Sequence, residues 1–228
     1  MKHIFLLTLT CCFSTLYSQD KDYINTDRPD QSEGIYTLAK RSFQTENGFT
    51  FSEGVFVDDL MLRYGLFNGT ELRLSSDFVK LNGQDLKISV FSASFKQEIL
   101  KENDVIPAVT FVGYITYQDA LKKWSADMCL AFENNLSERF SLAYNVGLSK
   151  SFSQLNTTFQ GQYSLTNRLF AFAEYFAFFT NETPSHNLDC GILYCLSTNF
   201  QIDTAFGRSI FRDDTDWFVS FGISYRFF

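Results

Sequence analysis

Trp217-Phe218-Val219-Ser220-Phe221-Gly222-Ile223-Ser224-Tyr225-Arg226-Phe227-Phe228 closes the chain on an unbroken alternation. Trp217, Val219, Phe221, Ile223, Tyr225 and Phe227 take every second position. Ser220, Gly222, Ser224 and Arg226 fall between them, with Phe218 the one bulky exception. A period of two puts the two sets on opposite faces of a strand. About 9–11 residues of tilted strand cross a bilayer. One greasy face ending in aromatics, opposite a small and polar face, suits a strand with lipid on one side and a polar lumen on the other.

The same alternation recurs upstream, near residues 42–52, 55–66, 70–78, 86–99, 106–117, 124–133, 139–150, 155–165, 168–179, 187–196 and 200–208, which with 216–228 makes twelve strands. Phe140, Leu142, Tyr144, Val146 and Leu148 against Ser141, Asn145, Gly147 and Ser149 is the plainest case. Two stretches break the pattern. In 168–179, Phe170, Phe172, Phe176 and Phe178 share parity with Glu174. In 86–99 the apolar parity changes from Leu86, Ile88 and Val90 to Phe91, Phe95 and Ile99. A β-bulge produces such a change, and so does a misplaced register.

Phe67-Asn68-Gly69-Thr70, Lys101-Glu102-Asn103-Asp104, Asn134-Asn135-Leu136-Ser137, Thr166-Asn167-Arg168 and Ser197-Thr198-Asn199 are short and Asn-rich, the chemistry of tight hairpins. The connections between them, around 80–85, 119–123, 181–186 and 208–215, are longer or more polar. Short turns on one side and longer loops on the other match the periplasmic and extracellular ends of an outer-membrane barrel. The expected fold is all-β: a transmembrane antiparallel up-and-down β-barrel of about twelve strands, its interior narrow and polar.

The N-terminus reads as a secretory signal over residues 1–18, with Lys2 and His3 before an apolar stretch from Ile4 to Leu16. A polar leader follows over 19–41, and the barrel fills 42–228. Removal of Lys2 leaves 18 basic against 26 acidic side chains, a net charge of −8, which argues against nucleic acid as a partner. Three cysteines remain, Cys129, Cys190 and Cys195. An odd number in an exported chain is no disulfide framework, and Cys190 and Cys195 point to opposite faces of one strand. Aromatic residues make up 18% of the chain, yet they alternate with Ser, Thr, Asn, Gln and Gly instead of forming the continuous runs of a buried core.

Thr26-Asp27-Arg28-Pro29-Asp30-Gln31-Ser32-Glu33, followed by Phe43-Gln44-Thr45-Glu46-Asn47-Gly48-Phe49-Thr50, resembles the Gram-negative outer-membrane "transporter" family named for a meta-pathway of phenol degradation. Leu62-Arg63-Tyr64-Gly65-Leu66 with Glu71-Leu72-Arg73 resembles that family's next hairpin, and Ser224-Tyr225-Arg226-Phe227 its end. The resemblance implies a monomeric barrel in the outer membrane that moves small, hydrophobic or aromatic compounds. The aromatic C-terminal strand also resembles the signal read by the outer-membrane assembly machinery, making that machinery and outer-membrane lipids the expected partners, with small solutes as cargo.

The charges with inward parity are Glu46, Arg63, Glu71, Arg73, Asp127, Glu133, Glu174, Asp189, Asp203 and Arg226. They are candidates for a pore lining, or for interior ion pairs such as Arg63 with Glu71. A charged Arg or Lys at the lipid midplane would cost about 2–4 kcal/mol, so the membrane alone demands one parity. Asp27, Arg28, Asp30 and Glu33 in the leader fit either a plug, Arg28 pairing with Glu46 or Glu71, or a periplasmic strap. Catalysis is not expected. The mature chain has one histidine, His186, in a Pro184-Ser185-His186 loop, and no third group joins it and Asp189. No His/Cys cluster has metal-ligand spacing, and no cofactor is implied. A channel and a non-conducting structural or surface-interaction barrel are the two readings left.

Overall fold

The computed structural model describes residues 23–103, 106–180, 183–211 and 216–227. The signal peptide expected over 1–18 lies outside them, as does Phe228. Twelve strands follow in order: β1 Phe43–Ser52, β2 Val55–Phe67, β3 Thr70–Leu81, β4 Lys87–Leu100, β5 Ala108–Gln118, β6 Lys123–Ser137, β7 Phe140–Ser149, β8 Gln154–Ser164, β9 Leu169–Phe179, β10 Ser185–Ser197, β11 Phe200–Ile210 and β12 Trp217–Arg226. Each pairs antiparallel with the next, and β1 with β12 from Gln44↔Arg226 to Ser52↔Phe218, closing the barrel. Closure leaves no sheet edge, which a bilayer demands because hydrocarbon satisfies no backbone polar group.

The alternation reads out as the two faces. Trp217, Phe221, Ile223 and Tyr225 are exposed on the outside, while Ser220, Gly222 and Ser224 are buried inside. Aromatic clusters mark both ends of the outer face: Phe43, Phe200, Tyr225 and Phe227 near the rim where β1 begins and β12 ends, the one expected to be periplasmic, and Tyr117 with Trp124 near the opposite rim, expected to be extracellular. Asn47 and Asp58 form a polar pair on the outside of β1–β2. They satisfy each other through a 2.6 Å hydrogen bond.

Four features differ from, or resolve, the sequence reading. The parity change in β4 is a bulge. Asp77 pairs with Val90 and Phe78 with Ile88, so Ser89 is the extra residue and every later side chain of the strand changes face. In β9 the rule is inverted. Small Ala171 and Ala173 lie outside, and Phe172 and Phe176, each 5% exposed, point inward with Phe170 and Phe178. The interior is therefore not uniformly polar: an aromatic stripe runs up one wall, and Phe170 and Phe172 pack with Leu193 and Ala205.

His186 stands in β10, not in a loop. Its ring is outside, hydrogen-bonded at 2.6 Å to the Tyr175 hydroxyl and packed on Phe179 and Phe211, while Asp189 faces inward. Three residues along a strand reverse the face, so the two cannot form a relay. Finally, the contrast in connection length is weak. The periplasmic 101–107 connection is the longest of all because β5 starts only at Ala108, after Pro107, which has no N–H to give the ladder. Cys190 is exposed outside and Cys195 buried inside, and all three described cysteines are free thiols.

Candidate functional site in the lumen

Residues 23–42 do not lie across the barrel mouth; they run into it and back. At the periplasmic end the Arg168 guanidinium hydrogen-bonds the Tyr23 hydroxyl. Gln44 and Gln201 then donate to the Asn25 carbonyl and the Thr26 hydroxyl, each at 2.8 Å. The chain turns at Pro29, preceded by a cis peptide. It returns past Tyr36, whose hydroxyl donates to Glu133 (3.2 Å), and Leu38, whose N–H donates to Glu71 (2.8 Å). It leaves across Gly65, where a Cβ would lie 2.0 Å from the Ala39 carbonyl oxygen.

The strongest interaction is an ion cluster around Asp27. Arg63 reaches Glu46 at 2.6 Å and Glu71 at 2.7 Å, and approaches Asp27 at 3.4 Å. Arg73 holds Asp27 and Glu33, both at 2.8 Å. Lys96 holds Asp27 at 2.7 Å. Glu33 also accepts a hydrogen bond from the Tyr114 hydroxyl. The strands alone supply three cations and two carboxylates here, and both carboxylates are taken by Arg63. Among the described residues, Arg73 and Lys96 find carboxylates only on the leader. Burial by itself would raise the Asp27 pKa, but Arg63, Lys96 and Arg73 outweigh it and hold the carboxyl far below its ordinary range. Glu33 is likewise lowered: burial opposes this, and Arg73 prevails.

Arg28 does not pair with Glu46 or Glu71. Adjacent residues of an extended segment point opposite ways, so with Asp27 in the cation cluster, Arg28 faces the β12–β1–β2 wall. Its guanidinium bonds Asp59 at 2.5 Å and lies 3.7 Å from Asp203. It occupies a notch made by Gly48 and Gly222, which are cross-strand partners. A Cβ on Gly48 would lie 1.8 Å from the guanidinium, and one on Gly222 2.5 Å from Nε. The two segments carrying the family resemblance, Thr26–Glu33 and Phe43–Thr50, are thus docked on each other.

At the tip, Gln160 donates to Asp30, while Glu174 accepts from the Gln31 N–H (2.7 Å) and the Ser32 hydroxyl. Burial, and then the neighbouring Glu174 carboxylate, push the Asp30 pKa well up. Asp189, the cross-strand partner of Glu174, is buried with neither oxygen hydrogen-bonded. The leader thus gathers nearly all the inward charges around itself. Asp127 and Arg226 stand apart, the first bonded by Ser125 and the Ser151 N–H, the second by Thr198 and Asn199 at the periplasmic rim. Lys96 escaped the sequence reading because it lies beyond the β4 bulge. Its signal was Phe95 and Ile99, which once placed outside put Lys96 within.

These shifts fix how docking depends on pH. The lowered carboxyls Asp27 and Glu33 contribute fully above the ordinary carboxylate range and are lost only as pH falls through their lowered values. Asp30, being raised, contributes fully below that range and less as pH rises through its raised value. Amides from Asp27 to Glu33 should therefore be at least as protected from hydrogen exchange at about pH 5 as at about pH 7.5, once intrinsic rates are corrected, and should lose protection below about pH 3. Loss already at pH 5 contradicts this assignment.

The family model described as "Putative MetA-pathway of phenol degradation" matches residues 26–227. No curated protein matches the sequence. Among solved structures, the KdgM porin is similar with a TM-score of 0.65 at 10% identity, over 81% of this chain and 99% of that one. The NanC porin gives 0.63 at 7% identity, over 80% and 98%. An outer membrane channel from Pseudomonas putida F1 gives 0.58 at 14% identity, over 88% and 99%. At these identities the likeness is one of fold.

Proposed function

The chain belongs to this family of outer-membrane β-barrels, and from that premise we propose that it is a passive channel for small molecules, closed at rest by its own leader. The observation that carries this reading is the docking of Asp27 and Glu33 on Arg73 and Lys96, lumenal cations that have no other carboxylate among the described residues. A barrel needing only structural rigidity could satisfy those cations from its strands. Borrowing two carboxylates from a detachable segment gives a closure that can release.

The aromatic stripe of β9 supports solutes with an apolar part. Phe170 and Leu193 line a chamber of about 250 Å³ on the periplasmic side of the leader, and Phe176 and Phe178 line one of about 720 Å³ on the extracellular side. A solute could step between them along β9 once the tip at Asp30–Ser32 lifts from Gln160 and Glu174. Glu46, Arg63, Glu71, Arg73, Glu133, Glu174, Asp189 and Asp203 would then line the opened path, with Asp127 and Arg226 nearer its ends.

Planar-bilayer recording tests this. The full mature chain should show rare or small openings, and a chain lacking residues 20–40 should conduct steadily. Silence from both would leave the non-conducting structural barrel as the reading.

A further inference from the structure

We propose that the extracellular chamber is a binding site for small organic cations, an ammonium group carrying an aromatic or alkyl substituent. This deepens the channel reading and rests on it. The chamber, about 720 Å³, has the leader's turn as its floor. Its apolar walls come from Val55, Val57, Met61, Phe176, Phe178 and Phe218. Phe218, the one bulky residue in the inner set of β12, is here an inward wall.

The charge in this chamber is one-sided. Glu53, Asp59, Asp77 and Asp216 line it, and among the described residues the lining cation is Arg28, already bonded to Asp59. Asp59 and Asp77 are direct cross-strand partners with both carboxyls inward. Among the described residues Asp77 has neither a hydrogen bond nor an ion pair, so a carboxylate beside a carboxylate faces open space. Lys87 and Lys123, at the outer ends of β4 and β6, are outside the chamber's lining.

A second observation points to an occupant. Ser220 lines the same chamber, and its buried hydroxyl has no hydrogen-bond partner, on a residue only 3% exposed. Carboxylates in a concave, low-dielectric setting draw in cations and repel anions. Aromatic faces add attraction for an ammonium group, and the apolar walls take its substituent. Inorganic cations would use the charge but not the walls; neutral aromatics would use the walls but leave Asp77 uncompensated.

The test is equilibrium dialysis of the detergent-solubilised mature protein at about pH 8 and low salt. The probes are phenyltrimethylammonium and benzenesulfonate, permanent ions of similar size. Saturable binding of the cation and none of the anion is expected. Asp77→Asn, which removes a charge without a protein partner, should weaken binding about tenfold or more. Phe178→Ala should weaken it a few-fold. Heat-dependent gel mobility confirms that each variant is folded. Equal binding of benzenesulfonate, or unchanged binding by a folded Asp77→Asn protein, overturns the site. Because dialysis needs no conductance, a barrel that binds the cation but never conducts would keep the site and lose the channel, and one that conducts without binding would do the reverse.

Discussion

Asp27→Asn is expected to open the barrel. The substitution keeps the shape of the side chain and removes only its charge, at a carboxyl 5% exposed and 2.7–3.4 Å from Lys96, Arg73 and Arg63. Removing one partner of a buried ion pair costs about 3–5 kcal/mol, because the remaining charge stays desolvated and uncompensated. Here three cations share the loss, and the relief available is for the leader to leave and water to enter. The docked-to-released ratio should fall by roughly a hundred- to several-thousandfold. In bilayers, Asp27→Asn should conduct like the chain lacking residues 20–40. The strand ladder is untouched, so the folded barrel should persist in detergent. A variant as silent as the parent would mean that the leader is held by something other than this cluster.

The glycine notch makes the second large effect. In Gly48→Ala/Gly222→Ala, two methyl groups would fill the space occupied by the Arg28 guanidinium and Nε, and the second would also meet the Asp203 carboxylate at 2.5 Å. A long side chain can retreat, but only by giving up Asp59, the backbone carbonyl of Phe221 and the proximity of Asp203. A hydrogen bond to a charged group contributes about 1.5–3 kcal/mol, so open probability should rise at least about tenfold. The cause is checked by a double-mutant cycle. In Arg28→Ala the guanidinium is gone and only the Asp203 carboxylate, free to swing away, still meets the Gly222 methyl, so adding the two alanines should change little further, a strong non-additivity. Additive effects would place the alanine damage at Asp203 or in the β1–β12 ladder instead.

The barrel was legible because the membrane imposes a rule on every strand. Lipid outside fixes one parity, and Trp217 to Phe227 displays it without interruption. The rule failed where lumenal packing overrides it. In β9 four phenylalanines turn inward while Ala171 and Ala173 lie outside beside Tyr175 and Phe179, and in β4 Ser89 inserts a residue that no local propensity announces. The leader was less legible for a different reason. Its contacts join positions 19 to 193 residues apart, and nothing in the spacing of Asp27 and Arg28 says which of the two meets the cations. That Asp27 does so, and Arg28 fills a notch between glycines, follows from the direction in which the segment enters. Gly48 and Gly222 read as small residues of an inner face; only the structure shows what their missing side chains admit.

The most direct measurement ties the leader to the wall. The hydroxyls of Ser32 and Thr158 lie 2.6 Å apart, which makes the two positions a pair for an engineered disulfide. With Cys129, Cys190 and Cys195 replaced by serine, Ser32→Cys/Thr158→Cys should cross-link under mild oxidation of intact outer membranes. The oxidised protein should stay closed in bilayers even when Asp27→Asn is added, and reduction should restore the openings. Failure to cross-link, or equal conductance of the oxidised and reduced forms, would contradict a lumen closed by its own leader.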